Sequence, residues 1–274
     1  MTENTSPPTP PPFWAAPFIG TGRAVLSGTA EMGAMTIFML HGLASMFRPS
    51  RQFPKFLRQV FVIGAGSLFL IALIGLFTGM VLGLQLYYTL TQFGAEGLLG
   101  TVLVLTLVRE LGPVLTAIMI TGRAGSAMAA EVGVMRITQQ IDALDVMDIH
   151  PLGYLVAPRF SASLFSFPLL TAIFIIVALL GGYLTGVLML GANEGAYIAR
   201  VEGSVNWQDV FGCMVKTLVF SLIVVTVCCY KGFFAHLRKD GQGPEAVSNA
   251  TTSAVVLSCV LILAADYVLT SMLL

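Results

Sequence analysis

Five apolar runs constrain the fold of this chain more than any other feature. Each is long enough to cross a bilayer as a helix that rises about 1.5 Å per residue. Of the 274 residues, 56% are hydrophobic and only 10% are charged, far from the composition of a soluble domain. We predict an all-α integral membrane protein whose five-span domain covers residues 60–274. The five runs are Val60–Leu90, Gly97–Thr121, Phe160–Leu190, Gln208–Tyr230 and Ala250–Leu274.

The basic residues gather in alternate connectors of these runs. Five precede the first run, three lie in the second connector and three in the fourth, which accounts for eleven of the fourteen Lys and Arg residues. The first connector has none, and the third has only Arg200 among acidic residues. Because basic connectors stay in the cytoplasm, we predict a cytoplasmic N-terminus and a C-terminus on the other side of the membrane.

The chain before the first run divides into two parts. Residues 1–17 form a Pro-rich tail that we predict to be disordered, and no cleaved signal peptide is apparent. Residues 18–59 are moderately apolar but carry charges, so we predict a helical segment at the membrane interface that connects to the first span. The alternative is a sixth span.

Two adjacent opposite charges interrupt the second run. Arg109 and Glu110 lie near the middle of this apolar segment, where a charged side chain costs roughly 2.5–3.5 kcal/mol on insertion scales. Neighbours in a helix point about 100° apart, so the two cannot simply neutralise each other. We predict that they line a cavity or pathway and that at least one has another partner.

A second opposite pair lies in the last two runs. Lys216 and Asp266 each stand about eight residues from the outer end of their run. We predict an ion pair, because an isolated charge at that depth is costly. The functional alternative is a proton relay.

The first run carries a ridge of small residues. Gly75, Gly79 and Gly83 lie one helical turn apart, which permits close approach of another helix. That helix is either another span of the same chain or a span of a second copy.

The second connector has the pattern of an amphipathic helix rather than a passive loop. Apolar residues recur at steps of three or four, and acidic residues stand off that stripe. We predict a cytoplasmic helix over about 125–148 whose polar face meets a protein partner or is merely solvated. The stripe consists of Ala127, Ala130, Val134, Ile137, Ile141, Leu144 and Met147.

Several catalytic and binding motifs are absent from the sequence. It has no Walker A motif, no HExxH and no GxSxG, and its four cysteines lack metal-ligand spacing. We predict no metal site, no disulfide, no nucleic-acid partner and no enzymatic activity. If transport by this chain uses ATP, a separate polypeptide hydrolyses it.

Four stretches resemble the MlaE family, the permease subunits of bacterial phospholipid ABC transporters. They are Gly79-Met-Val-Leu-Gly-Leu-Gln85, Leu107-Val-Arg-Glu-Leu-Gly-Pro113, the block from Gly122 to Arg136, and Pro158-Arg159. The resemblance covers about Arg48 to the C-terminus.

This resemblance implies a homodimer in the bacterial inner membrane, with its C-terminus in the periplasm. It also implies a cytoplasmic P-loop ATPase dimer that holds ATP and Mg, a small STAS-domain protein and a hexameric periplasmic MCE lipid-binding protein. The complex would move phospholipid between the inner membrane and a periplasmic carrier, maintaining outer-membrane lipid asymmetry. An ion-coupled secondary transporter or channel without an ATPase is the alternative function.

The resemblance also implies two sets of site residues and a coupling helix at about 125–148. Leu82, Leu90, Phe93 and Glu110, with Arg109 alongside, match the family's lipid cavity. The residues expected to couple the permease to the ATPase are Glu131, Gly133, Arg136, Asp142 and Asp145.

Overall fold

The computed structural model describes residues 16–46, 53–235 and 243–273. Within these ranges the regular secondary structure is entirely helical. The predicted disordered tail, residues 1–17, falls outside the described residues except for its last two.

Five of the helices are long and apolar enough to cross a membrane, which confirms the predicted number of spans. They extend beyond the apolar runs, most of all the second span, which is 42 residues long. Three shorter or less apolar helices precede or connect them. In chain order the helices are α1 Ala16–Met46, α2 Phe53–Thr91, α3 Glu96–Ile137, α4 Gln140–Val146, α5 Leu152–Met189, α6 Glu194–Ser204, α7 Trp207–Phe233 and α8 Pro244–Leu273.

Consecutive spans run in opposite directions. Glycines of α3 at 125 and 133 approach Cys228 of α7 and Val247 of α8, respectively, while Cys228 also contacts Ser258 of α8. Near the other end of the same helices, Lys216 of α7 contacts Glu110 of α3 and Asp266 of α8. Residue numbers therefore increase in the same direction along α3 and α7 but in opposite directions along α7 and α8. This is the up-and-down order that the alternating basic connectors predict.

The glycine ridge of α2 packs against α5 of the same chain. A Cβ atom at Gly75 would lie 3.0 Å from the carbonyl oxygen of Phe174, and one at Gly79 would overlap the carbonyl of Ala178. A Cβ atom at Gly83 would lie 2.5 Å from the hydroxyl of Thr185. The absence of side chains thus lets the two backbones touch over three turns.

The predicted amphipathic helix of the second connector is divided in two. α3 continues to Ile137, Gln139 adopts a left-handed backbone with a φ of 59°, and α4 begins at Gln140. This break resets the helical phase, so a single stripe cannot describe both parts.

In the second part, Ile141 and Leu144 are buried as the stripe predicts, but its last member, Met147, is exposed. In the first part, two of its members, Ala127 and Val134, are exposed. The face that packs against α7 and α8 lies one position away, because small residues there admit close helix contact. Its buried members are Met128, Ala129, Val132 and Gly133.

Helix α1 packs across the ends of α5 and α7 nearest the basic connectors. Phe38 makes an edge-to-face contact with Tyr230, and Lys231 of α7 pairs with Glu31. The opposite face of α1 exposes apolar side chains such as Ile37 and Leu40. The helix is long enough to span at 31 residues, but it is not among the five that are also apolar enough, and its place at the interface stays a prediction.

Candidate functional site

A cavity of about 250 Å³ lies between α3, α7 and α8. Four of its lining side chains are of charged types (Arg, Lys, Asp and Glu), which is unusual for a space between apolar spans. The lining residues are Arg109, Glu110, Gln208, Asp209, Gly212, Cys213, Lys216, Thr270 and Leu273.

A π-helical turn brings Arg109 and Glu110 to the same cavity. The turn covers Leu107–Leu111 in the middle of α3. A π turn inserts one extra residue and re-aims the side chains that follow, and such turns occur often at functional sites. As predicted, Arg109 and Glu110 do not form an ion pair with each other, and each has a partner on another span.

Pro113 leaves one backbone carbonyl of this turn without its helical hydrogen bond. Proline has no N–H with which to close the helical bond to the carbonyl four residues earlier, which here belongs to Arg109. That carbonyl oxygen instead accepts a hydrogen bond from Lys216 Nζ at 2.8 Å. The Glu-Leu-Gly-Pro sequence thus creates a backbone acceptor for a charged partner on another span.

Lys216 is the centre of the polar cluster, and its side chain is only 3% exposed. Besides the Arg109 carbonyl, Nζ donates to Glu110 Oε2 at 2.8 Å and to the Thr270 hydroxyl at 2.7 Å. Thr270 in turn donates to Glu110 Oε1 at 3.1 Å. The ammonium group has three hydrogens, and all three are used in these bonds.

The structure also brings Lys216 and Asp266 together. Asp266 Oδ1 lies 3.0 Å from Nζ, yet this buried oxygen has no hydrogen-bond partner among the described residues. The three donor positions of Lys216 are directed elsewhere, so the contact with Asp266 is an ion pair without a hydrogen bond.

Arg109 has a different partner, Asp209 at the start of α7. Arg109 Nε donates to Asp209 Oδ1 at 2.8 Å. The other carboxylate oxygen accepts the backbone N–H of Asn206 at 3.1 Å, as in a capping box. One carboxylate therefore caps a helix and orients the guanidinium of Arg109.

The apolar residues expected to share this cavity lie elsewhere in the single chain. Leu82 and Leu90 are partly buried against the core, and Phe93 is 78% exposed at the end of α2. None of them lines the cavity of Arg109 and Glu110, because the glycine ridge holds α2 against α5, away from α8.

The residues expected to couple to an ATPase lie at the other end of α3 and in α4. Arg159 of α5 is almost fully buried and donates to Glu131 at 2.8 Å, while half of the Glu131 side chain is exposed. Arg136 pairs with Asp142 at 2.6 Å and so spans the break between α3 and α4. Gly133 packs against α8, and Asp145 is exposed.

Sequence reasoning missed three residues of these clusters: Asp209, Thr270 and Arg159. Asn206 and Asp209 have the spacing of a capping box, which could have located the start of α7. Thr270 lies one turn after Asp266 and so shares its helix face. Only the packing of α5 shows that Arg159 is buried.

Comparison with known proteins places most of the chain in one family. The model of the family described as Permease MlaE matches residues 56–272. The chain belongs to the MlaE permease family.

Permease proteins from several bacteria are similar to this chain over most of their length. The chain is 37% identical over 251 residues to the intermembrane phospholipid transport system permease protein MlaE of Haemophilus influenzae, covering 91% of this chain and 94% of the relative. It is 38% identical to a probable ABC transporter permease protein of Rickettsia felis, covering 92% and 95%. A similarly named Synechocystis protein is 37% identical, covering 78% and 79%.

These matches and the five apolar helices identify the chain as a multi-pass ABC transporter permease of the inner membrane. As a MlaE family permease, it is a non-enzymatic subunit. The charged cavity of Arg109 and Glu110 is thus a feature of a transport protein.

Proposed function

We propose that this chain is the permease subunit of an ATP-driven phospholipid transporter. It moves phospholipid between the inner membrane and a periplasmic carrier, and so maintains outer-membrane lipid asymmetry. The cavity with Arg109 and Glu110 carries this proposal, because a lipid needs a few polar contacts for its headgroup beside apolar surfaces for its tails. The name of the Haemophilus relative, a phospholipid transport permease, supports it.

A second copy of the chain completes the apolar part of the site. Leu82 and Leu90 lie on α2 and Phe93 lies in the turn that follows it, outside the cavity of their own chain. The face of α2 away from its glycine ridge exposes Phe77 and Val81, an apolar surface suited to a partner within the membrane. In the dimer, these α2 helices would add walls for acyl chains to the charged cavities.

ATP and Mg belong to a separate P-loop ATPase dimer in the cytoplasm. Asp142 and Asp145 lie at the surface on α4, just after the break that ends α3, and Val146 beside them is 88% exposed. A mixed acidic and apolar surface of this kind favours a protein partner over an anionic membrane surface. We assign this segment to ATPase coupling, while a STAS-domain protein and a periplasmic MCE hexamer complete the complex.

Transport follows from rigid-body movement of the spans. Closure of the ATPases on nucleotide would displace the segment from Glu131 to Asp145. The ion pair of Glu131 with Arg159 joins this segment to α5, and α5 packs along α2. A displacement would thus reach the apolar walls of the cavity, shrink it and expel the lipid.

Native mass spectrometry of the tagged chain, extracted gently from its own membrane, tests the proposal. We expect two copies of the permease, two P-loop ATPases and bound phospholipid. A lone, lipid-free chain that still supports ion-dependent flux would instead establish the secondary transporter.

A further inference from the structure

The three donors of Lys216 are all used within the protein. They go to the Arg109 carbonyl, Glu110 and Thr270, and the side chain is only 3% exposed. Although Lys216 is a cation in the wall of the cavity, it has no hydrogen left for a ligand. An anionic group that enters the cavity must therefore find another donor.

Arg109 is the cationic donor that remains in the lining of the cavity. Its Nε bonds to Asp209, but neither terminal nitrogen has a hydrogen bond among the described residues, and 42% of the side chain is exposed. Asp209 holds the guanidinium by one edge, so the other nitrogens remain for a ligand. A guanidinium with two such nitrogens suits the paired oxygens of a phosphate.

Glu110 offers the opposite chemistry on the same cavity. Its side chain is 38% exposed although it accepts bonds from Lys216 and Thr270. A carboxylate has about four acceptor positions on its two oxygens, so it can accept a further N–H group. An ammonium group would form a charge-assisted hydrogen bond with this carboxylate, which is stronger than a bond from a neutral N–H group.

The charge balance of the cluster favours a ligand without net negative charge. Arg109 and Lys216 are two cations, while Glu110, Asp209 and Asp266 are three carboxyl groups in contact with them. The carboxyl groups outnumber the cations, so the cluster has no excess positive charge to balance an anionic headgroup. A zwitterionic headgroup adds no net charge.

We propose that this cavity selects zwitterionic aminophospholipids, whose headgroup carries a phosphate and a primary ammonium and no net charge. The phosphate binds the terminal nitrogens of Arg109, and the ammonium binds the carboxylate of Glu110. The π turn makes this possible, because it directs two sequence neighbours of opposite charge to one cavity. The inference rests on the proposed function and specifies its substrate.

Lipid competition on the purified transporter complex tests this selectivity. The complex is equilibrated with equal amounts of phosphatidylethanolamine and phosphatidylglycerol that carry the same acyl chains, and the retained lipid is quantified by mass spectrometry. We expect a preference of roughly tenfold for phosphatidylethanolamine, since a charge-assisted hydrogen bond is gained and a like charge is avoided. Equal retention of both lipids would overturn the inference and leave the proposed function standing.

Two variants test whether Glu110 is the residue that causes the lipid preference. Glu110→Gln keeps the shape and the bond from Lys216 but removes the charge, so we expect the preference to fall below about twofold. Glu202→Gln makes the same change of charge on the exposed surface of α6 and should keep the wild-type ratio. An unchanged ratio in Glu110→Gln would contradict the assignment of Glu110. Retention of neither lipid by the wild-type complex would count against the proposed function itself.

Discussion

At the scale of single residues, burial decides what each charged group contributes. Lys216 is enclosed by Glu110, Asp266, Thr270 and a backbone carbonyl, so its charge is balanced within the protein. A buried cation of this kind adds little net stability over an apolar residue, but removing one partner of such a pair leaves others uncompensated. The loss of stability should be larger when the removed partner leaves a buried charge unpaired than when it leaves an exposed charge, which water can solvate.

Replacement of Lys216 tests this reasoning. Lys216→Met leaves Glu110 and Asp266 without their cation, and we expect a loss of about 2–3 kcal/mol, below the cost for a fully buried pair because both carboxyl groups are partly exposed. The thermal unfolding midpoint in detergent measures it, and Arg200→Met on the exposed surface of α6 is the matched control. An unfolding midpoint equal to that of the wild type would show that the cluster does not stabilise the fold.

The pair of Glu131 and Arg159 should respond unequally to its two deletions. Glu131→Ala leaves a guanidinium buried without a counter-charge, which we expect to cost about 1–3 kcal/mol. Arg159→Met leaves only a half-exposed carboxylate, which water can solvate, so we expect a loss below about 1 kcal/mol. Thermal unfolding of both variants compares them directly. Equal losses would mean that burial of Arg159 does not set the energetics.

At the scale of helices, small residues and helix irregularities determine which surfaces meet. The seam between α2 and α5 depends on glycines of both helices, since Gly181 of α5 also faces the backbone of α2. The π turn in α3 and the left-handed residue at Gln139 each change the phase of the side chains that follow. Periodicity read across such points therefore assigns residues to the wrong face, as it does for Ala127 and Val134.

A single methyl group in the seam should separate α2 from α5. Gly79→Ala places a Cβ atom on the carbonyl of Ala178, and we expect a loss of about 1–3 kcal/mol from overpacking. Gly33→Ala in α1 is the control, because nothing lies within 4 Å of its added Cβ atom. That variant should equal or slightly exceed wild-type stability, by up to about 1 kcal/mol. Similar midpoints for the two variants would contradict the close seam.

At the scale of the whole molecule, the alternating directions of the five spans place successive connectors on opposite sides of the membrane. α4 and α6 then lie on opposite sides of the membrane, with the Arg136–Asp142 pair on one side and the connector to α7 on the other. The charge bias of the connectors predicts that α4 is cytoplasmic.

Cysteine labelling tests this orientation. With the native cysteines replaced, Glu202→Cys on α6 should react with a membrane-impermeant maleimide added outside, and Asp145→Cys on α4 should react only after permeabilisation. Both residues are exposed, so access to each depends on the side of the membrane. The reverse pattern would invert the predicted topology, and labelling of both from outside would contradict the alternation. The native cysteines are Cys213, Cys228, Cys229 and Cys259.

The sequence by itself determined the number of spans and the depths at which charges interrupt them. Apolar length and connector charge are local properties, so they need no knowledge of packing. The matching depths of Lys216 and Asp266 likewise follow from position along each span. A family resemblance added the transporter class, which the comparisons then showed through a family match over residues 56–272.

Only the tertiary structure decided which groups meet. Glu110 joins Lys216 across 106 residues, and Arg109 joins Asp209 across 100, because α3 lies beside α7. It also decided that the α2 glycines face α5 of the same chain, and that a π turn points Arg109 and Glu110 into one cavity. Adjacency of helices and changes of helical phase depend on contacts distant in sequence, so spacing within one helix cannot determine them.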